Sequence, residues 1–159
     1  MKKSLEQIAQ DLREAYVAGA GEGMGILGSF FADKIEILHE PIQRGDGLWN
    51  GADWVKAEHG AIRALEKGVI GFRQDVVVTV IGADQIGTQN TMSGKLPDGT
   101  PLLHKVRSVL TFKDGKIVKS LSYTESGSES GQLLTRALMA VPEFIELTKE
   151  IVRSREAAN

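Results

Sequence analysis

The sequence contains no cysteine, which excludes disulfide frameworks, thiolate zinc sites and cysteine nucleophiles. Nothing in it therefore favours secretion or an oxidising compartment, and we expect a cytoplasmic protein. It also lacks an apolar run of the roughly 18 residues that a membrane span needs. The polar start Met-Lys-Lys-Ser-Leu-Glu-Gln is unlike a signal peptide. We expect neither export by that route nor a membrane partner.

The sequence has no marked excess of charge. It has 19 lysines and arginines against 21 aspartates and glutamates, and no basic cluster is interleaved with aromatic residues. Because binding to a phosphate backbone needs such a cluster, we expect no nucleic-acid partner. Glycine is what the sequence has in excess, at 18 of 159 residues, so some part of the backbone needs unusual freedom. This length and 42% hydrophobic residues predict a single core.

The N-terminal segment predicts two helices joined by a glycine-rich link. Apolar residues recur at helical spacing over residues 4–18, where Ser4 and Gln7 form a capping box. Five glycines follow in residues 19–28, and each weakens a helix by about 1 kcal/mol relative to alanine. We expect a mobile link there that runs into a short second helix ending near Asp33. A phosphate-binding loop is not predicted, because a helix precedes these glycines and no Gly-Lys-Ser/Thr follows them.

The remaining elements are a strand, a third helix, four strands and a terminal helix. The first strand, residues 35–40, is stopped by Pro41, and a loop over residues 43–51 leads to a helix over residues 52–67. Short turns, two of them with Asp-Gly, separate four strands that predict an antiparallel meander. These strands span residues 75–81, 85–94, 102–112 and 116–125. After a polar break at 126–130 the pattern is helical, and Pro142 should kink or divide that helix.

This order of elements predicts an α+β fold. N-terminal helices would pack in a curved, mostly antiparallel sheet, forming a cone-shaped barrel whose open end leaves a pocket. We expect residues 1–125 to form the barrel and residues 126–159 to form a C-terminal helical extension of the same domain. The extension has enough apolar positions either to cap its own pocket or to dock on a partner subunit.

Two segments resemble the nuclear-transport-factor-2-like superfamily: Phe30-Phe-Ala-Asp-Lys-Ile-Glu-Ile-Leu-His-Glu-Pro41 and Phe112-Lys-Asp-Gly-Lys-Ile-Val118. Together with the element order they are most similar to SnoaL-like polyketide cyclases and ketosteroid isomerases, over about residues 5–125. Ketosteroid isomerases carry a tyrosine on the first helix and an aspartate before a proline on the first strand. Tyr16 and Glu40-Pro41 match these positions without a gap.

The resemblance implies a role for each matched residue. Glu40 would point into the pocket and abstract a proton next to a carbonyl, and Tyr16 would donate a hydrogen bond to the enolate oxygen. The position of the family's oxyanion aspartate falls near Ser108, a weaker donor than a carboxylic acid. The alternatives are a solvated acid at a strand end for Glu40 and a core tyrosine that reaches water for Tyr16.

Residues 102–112 add a histidine to the predicted pocket. Side chains alternate between the two faces of a strand, and this alternation places Lys105 and Arg107 on the outer face. His104 and Ser108 then share the inner face. A histidine that faces an apolar pocket can shuttle a proton or donate a hydrogen bond to a substrate. The alternative is a core histidine whose hydrogen bonds are satisfied.

Further candidates are weighed mainly by residue type. Most large apolar residues simply belong to the core, but some of them could contact a ligand. The candidates are Trp49, Trp54, Phe72, Met92, Phe30 and Phe31. Asn90 shares the strand parity of Met92 and is a lesser candidate. His39 neighbours Glu40 and is expected on the opposite face, at an interface or in a second layer. His59 lies on the third helix, and no histidine spacing typical of a metal site occurs, so neither metal nor cofactor is predicted.

The leading hypothesis is a small-molecule enzyme of the isomerase or cyclase type. Glu40 or His104 would move a proton on a carbonyl-bearing apolar substrate, and Tyr16 with Ser108 would stabilise the oxyanion. The alternative is a non-catalytic ligand-binding or dimeric adaptor module of the same fold. In either case we expect a homodimer through the sheet, because apolar residues such as Val77 would otherwise be exposed on its outer face.

Overall fold

The computed structural model describes residues 2–124 and 128–158. In these residues five helices pack against one mixed sheet of six strands. The helices are α1 (Leu5–Ala18), α2 (Ala20–Gly28), α3 (Gly51–Gly68), α4 (Ser128–Met139) and α5 (Pro142–Ala158). The strands are β1 (Phe31–Glu40), β2 (Gly47–Asn50), β3 (Ile70–Val80), β4 (Gln85–Lys95), β5 (Pro101–Lys113) and β6 (Lys116–Thr124).

The sheet has the strand order β2-β1-β6-β5-β4-β3 and stays open between its two edge strands. Strands β3 to β6 form the predicted antiparallel meander, and β1 joins it by pairing in parallel with β6. Helices α1 and α3 contact the sheet from its inner side. The predicted α+β cone is confirmed.

Helix α1 begins as its sequence predicts. The Ser4 side chain accepts a hydrogen bond from the backbone N–H of Gln7, and the Gln7 side chain accepts one from the backbone N–H of Ser4. This capping box satisfies two of the donors that a helix start leaves unpaired. The apolar face of the helix then buries Ile8, Ala9 and Leu12 against the sheet.

The glycine-rich segment is a helix, so the predicted mobile link and the helix end near Asp33 are wrong. Helix α2 starts directly after Gly19, whose φ of 157° and ψ of 158° break α1 in a conformation that only glycine adopts readily. Gly23 then lies so close to α1 that a Cβ atom there would overlap the ring of Tyr16. Close packing of α2 on α1 outweighs the weak helix propensity of its glycines.

The predicted loop over residues 43–51 also contains regular structure. Its second half forms β2, which pairs antiparallel with β1, so that Ile37 lies opposite Gly47. The Asn50 side chain accepts hydrogen bonds from the backbone N–H groups of Ala52 and Asp53 and thereby caps α3. Pairing with a neighbouring strand, which no local pattern reveals, creates this edge of the sheet.

The C-terminal segment is divided at Pro142, as predicted, into α4 and α5. Helix α4 contacts α3 and β5, and α5 contacts α3. The boundary expected between residues 125 and 126 lies outside the described residues. Among the helices of the described residues, none combines the length and apolar character that crossing a membrane requires.

The core consists of two clusters at opposite ends of the cone. One cluster joins α1 to the meander through Ile8, Leu12, Ile86 and Leu110, among other residues. The other joins α3, β4, β5 and α4 through residues such as Leu65. Members of both clusters contribute to the wall of a cavity, so the fold holds that cavity between two packed ends.

Candidate functional site

A cavity of about 690 Å³ occupies the inside of the cone. Its size is in the usual range for sites that bind small molecules. Side chains from the helices and from all six strands line it, including apolar residues such as Leu27, Ile62 and Leu134. Helix α4 and Phe144 of α5 complete the wall, so the C-terminal extension covers the pocket of its own chain.

A carboxyl group and a phenol face this cavity from two helices. Glu58 is on α3 and Tyr16 is on α1. Burial raises the pKa of the Glu58 carboxyl to about 7, and no hydrogen bond or ion pair with another described residue offsets this effect. Burial also raises the pKa of the Tyr16 phenol, and the negative charge of Glu58 raises it further. At neutral pH, Glu58 can therefore take or give a proton, whereas Tyr16 stays a hydrogen-bond donor.

Glu40, the base implied by the resemblance, is exposed and lies outside the cavity wall. The expectation that its carboxylate points inward is wrong, and so is the expectation that His39 points away. Ile35 and Ile37 are buried on the inner face of β1, and side chains alternate along a strand. His39 therefore shares the inner face with the two isoleucines, and Glu40 shares the outer face with Glu36.

His39 and Asp46 form a hydrogen-bonded pair in the cavity wall. His39 Nδ1 and Asp46 Oδ1 are 2.5 Å apart, and the Asp46 carboxylate also accepts hydrogen bonds from the backbone N–H groups of His39 and Gln43. Burial would raise the pKa of Asp46, but the hydrogen bonds from His39 and Gln43 together lower it. Because the carboxylate accepts, Nδ1 carries the proton in this pair.

His104 lies on the inner face of β5, where strand parity predicted it, and it is buried in the cavity wall. Its Nδ1 is 2.9 Å from the Ser130 hydroxyl of α4. Burial lowers the pKa of His104, so the ring is neutral at physiological pH. Ser108 also lines the cavity, and its hydroxyl is 2.8 Å from that of Ser122 on β6.

Most of the other predicted contact residues also line the cavity. These are Trp49, Trp54, Asn90, Met92 and Phe31. Phe30 instead packs edge-on against Phe112 beside the first core cluster. Phe72 lines a second, more open recess of about 640 Å³, which shares Tyr16, Gln74 and Val76 with the cavity wall. His59 does not line either space.

Helix α5 holds the loop that carries Asp46 and Trp49. The guanidinium of Arg155 lies 3.8 Å from the centre of the Trp49 ring, and it donates hydrogen bonds to the carbonyl oxygens of Gly45 and Leu48. The Trp49 indole N–H donates to the Gly45 carbonyl, and its ring packs edge-on against Trp54. A cation stacked on an aromatic face with two backbone hydrogen bonds fixes this loop against the cavity.

No cluster of three or more histidines and carboxylates that could hold a metal ion occurs in residues 2–124 and 128–158. Asp46 is engaged by His39, and Glu58 faces a phenol rather than a second ligand.

Glu58 and the His39–Asp46 pair are the residues that sequence reasoning missed, although the sequence contained a signal for each. Glu58 follows Trp54 by one helical turn and precedes Ile62 by another, so it interrupts the apolar stripe of α3 with an acid. His39 has the strand parity of Ile35 and Ile37. Its contact with Asp46 depends on how the loop folds back, which the sequence pattern does not indicate.

The comparisons with known proteins find relatives by structure. PrhC from Penicillium brasilianum aligns with a TM-score of 0.58 and 12% identity, over 92% of this chain and 97% of that one. An NTF2-like protein from Burkholderia thailandensis aligns with a TM-score of 0.56 and 19% identity, over 85% of this chain and 97% of the other. A protein from Mesorhizobium loti described as a SnoaL-like polyketide cyclase aligns with a TM-score of 0.54 and 20% identity, over 76% of this chain and 99% of the other.

No family model matches the sequence, and no curated protein matches it either. At these identities the structural similarity establishes the fold. The chain has the nuclear-transport-factor-2-like fold, and the resemblance predicted from its sequence is confirmed at that level.

Proposed function

We propose that the chain is a small-molecule enzyme that moves a proton on a carbonyl-bearing apolar substrate bound in the cavity. One observation carries this proposal: Glu58, Tyr16 and His104 face one cavity whose wall is otherwise largely apolar. Enzymes that shift protons beside a carbonyl need a base with a pKa near the working pH and a donor for the developing oxyanion. Glu58 and Tyr16 have these two properties.

In the proposed reaction, the Glu58 carboxylate takes a proton from the carbon next to the substrate carbonyl. The electron pair of the broken C–H bond moves toward the carbonyl oxygen, and the Tyr16 hydroxyl donates a hydrogen bond to that oxygen. Glu58 then returns the proton to a different carbon, which gives an isomerisation. Alternatively, the enolate carbon attacks a second carbonyl carbon and closes a ring, and the alkoxide formed from that carbonyl takes the proton back from Glu58. Neutral His104, held by Ser130, is a further hydrogen-bonding partner for the substrate. Glu58 thus takes the role that the resemblance implied for Glu40.

The second candidate is a non-catalytic ligand-binding or dimeric adaptor module. The observation in its favour is that Ser108, at the position of the family's oxyanion aspartate, already shares a hydrogen bond with Ser122. A donor engaged in this way contributes less to an oxyanion. A binding module would use the same cavity and would need no base in it.

We also propose that the chain forms a homodimer through the outer face of the sheet. Val77 is 61% exposed there, and Val109 and Leu121 lie side by side in the β5–β6 register on the same face. Charged neighbours such as Lys119 surround these apolar residues. An apolar centre with a polar rim is typical of protein interfaces.

Proton exchange into a model ketone tests the enzymatic proposal. 2-Tetralone has an apolar bicyclic body and activated C–H bonds beside its carbonyl, so the incorporation of deuterium from D₂O can be followed by NMR. We expect the protein to accelerate exchange above the buffer rate and Glu58→Gln to reduce the acceleration by a factor of about 100 or more. Glu40→Gln is the matched control, because it makes the same substitution on the outer face, and it should exchange like the wild type.

The result separates the two candidate functions. Exchange that survives in Glu58→Gln but is lost in Glu40→Gln would contradict the assignment of the base. A protein that binds 2-tetralone, as shown by calorimetry, without any exchange above buffer would favour the binding module.

A further inference from the structure

Two side-chain amides lie next to each other on the cavity wall. Gln74 is on β3 and Asn90 is on β4, and both line the cavity. In the β3–β4 register Gln74 lies opposite Met92 and Asn90 lies opposite Val76, so the two amides are diagonal neighbours on one face. Diagonal neighbours on a sheet are close enough for their side chains to reach a common partner.

Both amide oxygens are buried without a hydrogen-bond partner. Gln74 Oε1 and Asn90 Oδ1 accept no hydrogen bond from any group in the described part of the chain. Buried polar atoms in proteins are nearly always paired, because the loss of hydration is otherwise uncompensated. A protein that keeps two such acceptors side by side on a cavity wall is arranged to receive donors from a molecule inside the cavity.

The surroundings of the amides indicate the kind of donor. Val76 and Met92, the residues opposite the two amides, are apolar and also line the cavity. An ammonium group would lose its hydration there, because Asp75, the one carboxylate on these two strands, lies on their opposite face beside Arg73, whereas a neutral hydroxyl loses much less. A hydroxyl can also donate to an amide oxygen while the carbon atom that carries it packs against the neighbouring apolar side chains.

We propose that Gln74 and Asn90 form a recognition subsite for a ligand that carries neutral hydroxyl groups along one edge. This inference rests on the proposed function in one respect, namely that the cavity holds a small molecule. It extends that function by giving the substrate class a second feature: an apolar carbonyl compound with hydroxyl groups on the edge that faces β3 and β4. The subsite acts in binding and takes no part in the proton transfer assigned to Glu58.

Binding of matched aromatic probes tests the subsite without any turnover. The probes are 1,3-dihydroxynaphthalene, its ether 1,3-dimethoxynaphthalene, and 2-(aminomethyl)naphthalene, measured by calorimetry with the wild-type protein. We expect the dihydroxy compound to bind about tenfold more tightly than the ether, since two neutral hydrogen bonds to buried acceptors are lost in the ether. The amine should bind no better than the ether.

Two variants assign the preference to the amides. Gln74→Met and Asn90→Leu keep the approximate size of each side chain and remove its polar atoms. Each single variant should cut the preference for the dihydroxy compound from about tenfold to about threefold, and the double variant should abolish it, while the affinity for the ether stays within about twofold. Thr91→Val, on the opposite face of β4, is the control and should keep the wild-type preference.

The melting temperature of the ligand-free variants distinguishes recognition from a structural role. Because an unpaired buried acceptor destabilises the protein that contains it, Gln74→Met and Asn90→Leu should melt at the wild-type temperature or above it. Variants that melt lower and lose affinity equally for both probes would show a structural role and overturn the proposal.

Two other results would also overturn it. One is equal affinity of the wild type for the dihydroxy compound and the ether, including the absence of measurable binding for both. The other is a preference for the amine. Loss of exchange into 2-tetralone in Glu58→Gln does not bear on these binding measurements, so the subsite and the proton transfer can fail separately.

Discussion

Glu58 is a carboxyl group at a position where its charge is poorly solvated. It lies on the face of α3 that also carries Trp54 and Ile62, and the cavity it faces is largely apolar. Burial disfavours the carboxylate and raises its pKa from an ordinary value of 4.5 to about 7. The ionised side chain therefore lowers the stability of the folded protein at high pH, and such destabilised groups are common at functional sites.

This effect predicts how the stability of the Glu58→Gln variant depends on pH. Below about pH 4.5 the wild-type group is protonated in both the folded and the unfolded chain, so it contributes no pH-dependent difference. Between that value and about 7 the folded state binds more protons than the unfolded state, so the wild type loses stability as pH rises. The loss approaches about 3 kcal/mol at pH 8.

We therefore expect Glu58→Gln to gain stability relative to the wild type as pH rises from about 4.5 to about 8. Urea denaturation at both pH values measures the difference. Tyr16, His104 and the His39–Asp46 pair also line this cavity, and they remain unchanged in the comparison. Glu40→Gln serves as the exposed control and should show no such gain. A Glu58→Gln effect of the same size at both pH values would argue against a raised pKa.

At the residue scale, the sequence predicted the strand residues that line the cavity better than the carboxyl proposed as its base. The inward parity of His104, Ser108 and Met92 follows from alternation along a strand, which is a strictly local rule. The orientation assigned to Glu40 came from the resemblance, although Ile35 and Ile37 indicate the opposite parity. Local periodicity was the better guide wherever the two conflicted.

At the scale of elements, glycines determine how closely the helices approach their neighbours. Gly51 begins α3 beside β1, and a Cβ atom there would overlap the carbonyl oxygen of Ala32. Gly60 lies in the middle of α3, where a Cβ atom would overlap the side chain of Leu147 on α5. The glycine that appeared to weaken the predicted third helix therefore allows α5 to pack against it.

A pair of glycine substitutions tests this account. Gly51→Ala should lower the free energy of unfolding by about 1–3 kcal/mol, because backbone atoms of β1 or α3 must move. Gly21→Ala, in α2, should raise it by about 0.5–1 kcal/mol, because no described atom beyond the adjoining backbone of α2 lies within 4 Å of the added Cβ and alanine favours a helix. Urea denaturation of both variants gives the two values. A loss of stability in Gly21→Ala would contradict the open space that the structure shows at this position.

Elements that depend on local pattern were predictable, and elements that depend on distant partners were not. The meander followed from alternation and Asp-Gly turns, and the division of the last helix followed from Pro142. Helix α2 needs its contact with Tyr16, and β2 needs β1 as a partner. These contacts join residues whose proximity exists only after the chain has folded.

At the scale of the whole molecule, none of the helices in residues 2–124 and 128–158 covers the outer face of the sheet, where Val77 is exposed. The proposed homodimer would bury the apolar centre of this face. Light scattering at micromolar concentration should give twice the chain mass of 17.2 kDa. Val109→Glu should shift the protein toward the monomer, whereas Val17→Glu, on an exposed part of α1, should leave the mass unchanged. A wild-type monomer under these conditions would contradict the dimer.

The central claim is that the fold encloses one proton-exchanging carboxyl, Glu58, inside its cavity. The most direct test is a carbon-13 NMR titration of the glutamate side-chain carboxyls in the ligand-free protein, with the Glu58 signal assigned by its absence from Glu58→Gln. The structure predicts a midpoint of about pH 7 for Glu58. A midpoint near the ordinary glutamate value of 4.5 would contradict the claim.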